Sequence, residues 1–245
     1  MLISRGAPCR PTRQGEWLVR LGRQTRFLYD EAAQALAGAT AIELPVAVNA
    51  DSLAAWFRDV LAEVAAWEGT SVRLRVEDQA YSQELLRRGD VLAAVTSDSA
   101  AVQGCSVDRL GALRYLPVAA PAVVTRWRCG ESLDWAAMPV VIFNDKDDLQ
   151  HEMLRLHGVA HDPPVIHQVP ATADFYAAVC LGLGWGMLPE PQARPALAAG
   201  TLLRLSPEDI DIPLYWQRWR LDSPKLAALT TAVRTAAATH LFSVG

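Results

Sequence analysis

The stretch Leu44-Pro45-Val46-Ala47-Val48-Asn49-Ala50-Asp51-Ser52-Leu53-Ala54-Ala55-Trp56-Phe57 decides the fold class. An apolar strand over 42–48 runs into a four-residue polar turn, and an amphipathic helix over 53–67 follows, with Asp51 or Ser52 as its N-cap. Downstream the pattern recurs. A strand over 71–76 meets Glu77-Asp78-Gln79 and then a helix closed by Gly89, and a strand over 91–95 opens into Thr96-Ser97-Asp98. Strands that alternate with helices at this spacing read as α/β with a mainly parallel sheet.

A second series follows the first. A strand over 140–143 leads through Asn144-Asp145-Lys146-Asp147-Asp148 into a helix ending at His157. A strand over 165–169, a helix over 173–183 capped by Thr172, a short strand over 185–188, a helix over 192–198 and a strand over 202–205 complete it. A long strand over 212–220 and an amphipathic helix over 224–241 end the chain. Two α/β lobes result: 41–117 with the returning segment 207–245, and 118–206.

Upstream, residues 12–38 read as one helix, with Thr12 as N-cap and Gly38 as the stop. Leu18, Leu21, Thr25, Leu28, Ala32 and Ala35 recur at alternating spacings of three and four, the pattern of a coiled-coil seam. A partner chain would cover that stripe; packing on the helix's own domain is the other reading.

The chain has 245 residues, 51% hydrophobic and 20% charged, and a formal charge of −4. An acidic total excludes the whole-molecule basic field of a self-sufficient nucleic-acid binder. Residues 1–30 nevertheless carry Arg5, Arg10, Arg13, Arg20, Arg23 and Arg26 against Glu16 and Asp30. Cys9, Cys105, Cys129 and Cys180 are scattered without a C-x-x-C pair and read as reduced structural thiols. With no secretory leader and no apolar run near the ~20 residues of a membrane span, the expected compartment is the cytoplasm.

In open α/β sheets, ligands gather at the carboxyl ends of strands, where helix N-termini present free N–H groups. Here those ends carry Asn49, Asp51 and Ser52; Glu77, Asp78 and Gln79; Thr96; Asn144 and Asp145; Thr172 and Asp174. Hydroxyls and N–H groups suit a carboxylate, and the acids suit a cation, so the set as a whole fits an amino acid, preferably a basic one. Taken singly, each residue is equally an ordinary cap or turn former. Gly182-Leu183-Gly184-Trp185-Gly186 follows a helix and precedes a strand, the reverse of a dinucleotide loop, and reads as a turn. His151, His157 and His161 with Asp162 do not share a helix face and read as solvated side chains. G-x-S-x-G, Walker A and H-E-x-x-H motifs are missing, so no metal, cofactor or catalysis is expected.

Several stretches resemble the LysR-type transcriptional regulators, and within them the lysine- and arginine-responsive subgroup that controls basic amino acid export. The segment from Ser4 to Glu16, with Pro11-Thr12 and Gly15, is similar to the end of the family's winged helix-turn-helix. Leu44–Phe57 resembles the first strand and helix of the subgroup's effector domain. Val76-Glu77-Asp78-Gln79, Leu85–Val91, Gly111–Tyr115, Gly182-Leu183-Gly184 before Leu188-Pro189, and Leu214-Tyr215-Trp216 extend the likeness over essentially the whole chain.

The resemblance implies a two-lobed, periplasmic-binding-protein-like (type II) effector domain over 40–245, preceded by a wing remnant and a long linker helix over 1–39. Crossing strands between the lobes would map to 114–119 and 212–218. It implies a regulator shortened at its N-terminus, whose recognition helix belongs to a longer parent that binds DNA. Arg5, Arg10 and Arg13 would then touch phosphates without reading sequence. Linker helices would pair between chains through Leu18, Leu21 and Leu28, in a dimer or tetramer. Carried over, Ser52 and Thr96 would hold a ligand carboxylate, and Glu77, Asp78 or Asp145 its amino groups, with the assignment among these acids open. Asp51, Gln79, Asn144, Thr172 and Asp174 complete the set. Two other classes compete: a free-standing amino-acid-binding protein and an enzyme on an α/β scaffold. The missing leader and the linker helix weigh against the first, and the lack of a catalytic motif against the second.

Overall fold

The computed structural model describes residues 2–4, 10–38, 41–76, 79–161 and 163–243. It forms two compact units, Met1–Gly111 with Pro213–Gly245, and Ala112–Ile212.

In the first unit, strands β1 (Ile3–Ser4) and β2 (Arg10–Pro11) pair antiparallel ahead of the helix α1 (Arg13–Ala37). Thr12 Oγ1 accepts from the Gly15 N–H at 3.2 Å, and Gly38, at φ 64°, closes the helix with its N–H on the Gln34 carbonyl. One face of α1 is tied to its own unit. Phe27 is buried, Arg23 donates to the Arg88 carbonyl, Glu31 accepts from Ser223 Oγ and the Lys225 N–H, and Gln34 donates to the Gly69 carbonyl. The seam lies elsewhere: Leu18 and Leu21 are 53% and 57% exposed, Thr25, Ala32 and Ala35 are exposed, and Leu28 is half-buried. Packing on the helix's own unit therefore does not account for the apolar stripe.

There follow β3 (Ile42–Val48), α2 (Ala50–Ala55), α3 (Phe57–Val64), β4 (Thr70–Val76), α4 (Gln79–Arg88) and β5 (Ala93–Thr96). β3 runs parallel to both β4 and β5 and is buried along most of its length, with Leu44, Val46, Ala47 and Val48 at 0% exposure. A strand covered on both sides is a continuous apolar run, which is what 44–48 offers. The helix expected over 53–67 begins earlier, because the connection from β3 is a single residue, Asn49, and it is broken at Trp56.

β6 (Cys105–Ala119) carries the chain into the second unit. Gly111 within it has φ 135°, and a Cβ there would lie 2.8 Å from the Phe242 carbonyl oxygen, so this position requires glycine. The second unit continues with α5 (Pro121–Arg126), the hairpin β7 (Arg128–Cys129) and β8 (Ser132–Leu133), β9 (Val140–Ile142), α6 (Leu149–Leu156), β10 (Ile166–Gln168), α7 (Thr172–Cys180), β11 (Gly186–Pro189), α8 (Glu190–Ala198) and β12 (Leu203–Arg204). β9 and β10 are parallel, whereas β11 and β12 are antiparallel to the end of β6. β13 (Ile210–Trp219) returns the chain to the first unit, antiparallel to β5, and α9 (Pro224–His240) follows. The sheets are thus mixed, where a mainly parallel arrangement was expected, because these long return strands run against their neighbours.

Each unit has its own apolar core. Leu85, Leu86, Val91, Val102 and Trp219 cluster in the first, and Leu116, Val141, Phe175, Val179 and Leu188 in the second. Gly182–Gly186 is indeed a helix-to-strand turn between α7 and β11, where a Cβ on Gly184 would meet the Pro139 carbonyl oxygen at 2.6 Å.

Candidate ligand-binding site

In the first unit the parallel register sets the site. Val48 of β3 lies beside Val76 of β4, and Ala47 beside Ala94 of β5. Two residues further along, Asn49 and Thr96 therefore leave the sheet at the same edge. Asn49, with φ −71° and ψ 153°, is the N-cap of α2, yet its side chain makes no capping bond. This corrects the assignment of Asp51 or Ser52 as the cap: both sit in the first turn of α2, Asp51 half-buried and Ser52 at 0% exposure. Asn49 Oδ1, Ser52 Oγ and Trp56 Nε1 are buried without a hydrogen-bond partner among the described residues. They stand at the N-cap, in the first turn and at the C-cap of this short helix. An unpaired buried polar group costs about 1–3 kcal/mol, so this turn keeps donors and acceptors that the fold itself does not use.

Thr96, also buried, accepts the Asp98 N–H on its Oγ1 at 3.1 Å. The loop beyond it is fixed by residues that sequence reasoning missed. Gln217 of β13, at 0% exposure, donates from Nε2 to the Asp98 and Ala100 carbonyls (3.0 and 2.8 Å) and accepts the Val102 N–H at 3.1 Å. Gln83 of α4 donates to the Asp98 carboxylate at 2.6 Å. Only the tertiary fold brings Gln217 to a loop more than a hundred residues away, so no local signal could have found it. Gln79 opens α4, while Glu77 and Asp78, like Arg5, lie outside the described residues. Arg10 is in β2 and Arg13 begins α1.

The second unit places its candidates on the same kind of edge. Ile142 of β9 pairs with Gln168 of β10, so Asn144 and Thr172 both emerge beyond carboxyl ends of parallel strands. Asn144 Oδ1 accepts the Lys146 N–H at 2.9 Å. Asp147, not singled out from sequence, accepts the Phe143 N–H at 2.9 Å and the Leu149 N–H at 3.4 Å. Burial pushes its carboxyl above the usual aspartate range, against the opposing pull of those two N–H groups. Asp145 and Asp174 are exposed, and Thr172 is half-buried. Thr172 does not cap α7; it is the first helical residue, and Ala171 is the N-cap. His157 is not a solvated side chain: it stacks on Trp135 with ring centroids 4.1 Å apart and planes at 9°. Among the described residues no three His, Cys, Asp or Glu side chains are grouped to hold a metal. Desolvation pushes the buried Cys105 thiol up to about 12, which keeps it protonated.

Residues 37–238 match the LysR substrate binding domain family. The chain is 46% identical over 244 residues to the lysine export transcriptional regulatory protein LysG of Corynebacterium glutamicum, covering 97% of this chain and 82% of that one. It is 34% identical over 236 residues to the HTH-type transcriptional regulator ArgP of Pseudomonas aeruginosa, covering 94% and 78%. Among solved structures, full-length LysG of C. glutamicum with bound effector Arg matches with a TM-score of 0.88 at 45% identity, over 98% of this chain and 84% of that one. ArgP from Mycobacterium tuberculosis matches with a TM-score of 0.90 at 39% identity, over 99% and 84%.

Proposed function

The chain belongs to the LysR family of transcriptional regulators, and on that premise we propose that it senses a basic amino acid, arginine or lysine, and so controls transcription of an amino acid exporter. It is a regulator with a two-lobed, periplasmic-binding-protein-like α/β effector domain and a long helix ahead of it, and its relatives are transcription regulators, not enzymes. The observation that carries the ligand reading is the β3–α2 turn, where buried Ser52 Oγ and Asn49 Oδ1 stand unpartnered on the sheet edge that Thr96 shares. In this reading Ser52 and Thr96, with N–H groups of the turn, receive the α-carboxylate. Glu77, Asp78 or Asp145 neutralises the amino or guanidinium groups, and Asp51, Gln79, Asn144, Thr172 and Asp174 complete the set. The relatives support the ligand class: one is named for lysine export, and one solved structure holds arginine.

The exposed seam of α1 fits a second copy of the chain, paired through Leu18, Leu21 and Leu28. DNA is the further partner, with Arg5, Arg10 and Arg13 contacting phosphates, and the cytoplasm is the place of action. No described helix is long and apolar enough to cross a membrane.

Calorimetric titration with L-arginine, L-lysine and a neutral amino acid tests the reading. Saturable binding confined to the basic pair is expected; absence of binding by all three would overturn the effector assignment while leaving the family intact.

A further inference from the structure

α4 is held at its middle and at its C-terminal end by contacts with other elements. At its middle, Gln83 Nε2 donates to Asp98 Oδ2 at 2.6 Å, and the other carboxylate oxygen of Asp98 accepts the Ala100 N–H at 2.7 Å. The Asp98 N–H in turn donates to Thr96 Oγ1, so hydrogen bonds run without a break from the end of β5 to α4. Gln217 pins the remainder of this loop from below through its three bonds to backbone, leaving few ways for it to move independently of Asp98.

At the C-terminal end, the Arg88 carbonyl accepts from Arg23 of α1 at 2.8 Å. Asp90, just past the helix, pairs with Arg23 at 2.6 Å and with Arg88 at 3.2 Å. Gly89 lies between them at φ 68°, and a Cβ there would stand 2.9 Å from Arg20 Cγ, so α1 seats directly on this helix end. A positive guanidinium at a helix C-terminus is also favoured by the helix dipole. Gln83 and Arg88 are separated by roughly 7.5 Å of helix rise, a span over which an α-helix moves as a rigid rod.

We propose that α4 is the relay through which a ligand bound at Thr96 is felt by α1, with Gln83–Asp98 as its input and Arg23 on Arg88 and Asp90 as its output. The proposal rests on the reading of Thr96 as part of the ligand site. Arg23 and Gln83 are positioning residues in it, and neither touches the ligand. Glu31 and Gln34 tie α1 instead to α9 and to the Gly69 carbonyl ahead of β4, and serve as internal controls.

The test is hydrogen–deuterium exchange of α1 in the whole chain, with and without saturating L-arginine, beside calorimetry of each variant. In the wild type, arginine is expected to slow exchange in α1 by about threefold or more, the signature of a local opening made rarer. Arg23→Ala is expected to keep arginine affinity within about twofold while abolishing that response, because Arg23 lies outside the site. Arg23→Lys, which keeps a donor for Arg88 and a cation for Asp90, is expected to restore it. Gln83→Ala loses the response and Gln34→Ala keeps it. A purely structural role would speed exchange equally with and without arginine. An unaltered response in Arg23→Ala overturns the relay, as does a wild type that binds arginine without any change in α1. A wild type that fails to bind arginine by calorimetry overturns the ligand reading, and the relay with it.

Discussion

The β3–α2 turn and the β9–α6 loop use the same vocabulary, an asparagine followed by aspartates or serine where a strand gives way to a helix, and put it to different ends. In the turn, Asn49 Oδ1 and Ser52 Oγ are buried with no described partner. In the loop, Asn144 and Asp147 are consumed by the N–H groups of Lys146, Phe143 and Leu149. Connection length explains the contrast. Between β3 and α2 stands one residue, whose backbone alone makes the cap. Between β9 and α6 stand residues 143–148, where the Phe143 and Lys146 N–H groups have no ladder to join and find side-chain acceptors. A short connection leaves its polar side chains for a ligand; a long one spends them on itself.

Ser52→Ala is the sharpest way to break this contrast. A hydroxyl that binds only ligand contributes nothing to the empty fold, so arginine affinity should fall about tenfold to a hundredfold, the worth of a hydrogen bond to a charged group. The melting temperature should hold or rise, because an unpaired buried hydroxyl has been removed. Calorimetry and thermal melting on one preparation read both; a lowered Tm with unchanged affinity would make Ser52 structural and erase the difference between the two connections.

Asp147→Ala should show the opposite split. Two backbone N–H groups lose their acceptor, and stability should drop by about 1–2 kcal/mol while arginine affinity stays near wild type. Asp147→Asn keeps one acceptor and should recover part of the loss. The pH dependence has a definite sign. Since burial raises the Asp147 carboxyl, the folded chain binds its proton more tightly than the unfolded chain does. The wild type therefore loses stability as pH rises from the ordinary aspartate value of about 3.9 through the raised one, and Asn has no such loss. The Tm of Asp147→Asn minus that of wild type should climb across this window and level off above it; a flat difference would mean that Asp147 is not desolvated.

Much of this was legible in the residues. Thr12 and Gly38 bound α1 as read, and the apolar run at 44–48 is a buried strand. The cap of α2 was misplaced because Asn49, Asp51 and Ser52 are all good cap formers, and local preference cannot rank them once β3 fixes where the helix begins. β6 went largely unread, since Asp108 and Arg109 interrupt its apolar pattern; in the fold Asp108 pairs with Arg234, 2.9 Å away on α9. Gln217 in a strand reads as a solvent-facing residue, and only distant backbone at Asp98, Ala100 and Val102 makes it a buried lock. Asp147 was one acid among three in its loop, and the N–H groups that claim it belong to Phe143 and Leu149, whose directions the sequence does not encode.

The smallest effect tests what the second connection has left to offer. With Asn144 and Asp147 occupied by backbone, the acid proposed there for the ligand is Asp145, which is exposed. An exposed carboxylate acts through a high-dielectric medium, where an ion pair is worth about 0.2–1 kcal/mol and is screened within roughly 10 Å at 0.1 M salt. Asp145→Asn should accordingly weaken arginine only about two- to fivefold at low ionic strength, with no change in Tm, and the deficit should shrink as salt is added. Ser52→Ala should keep its deficit at every salt concentration, since a buried hydrogen bond is screened far less. If instead Asp145→Asn cost as much as Ser52→Ala and resisted salt, Asp145 would be desolvated in the complex, and the second connection would hold its ligand as tightly as the first.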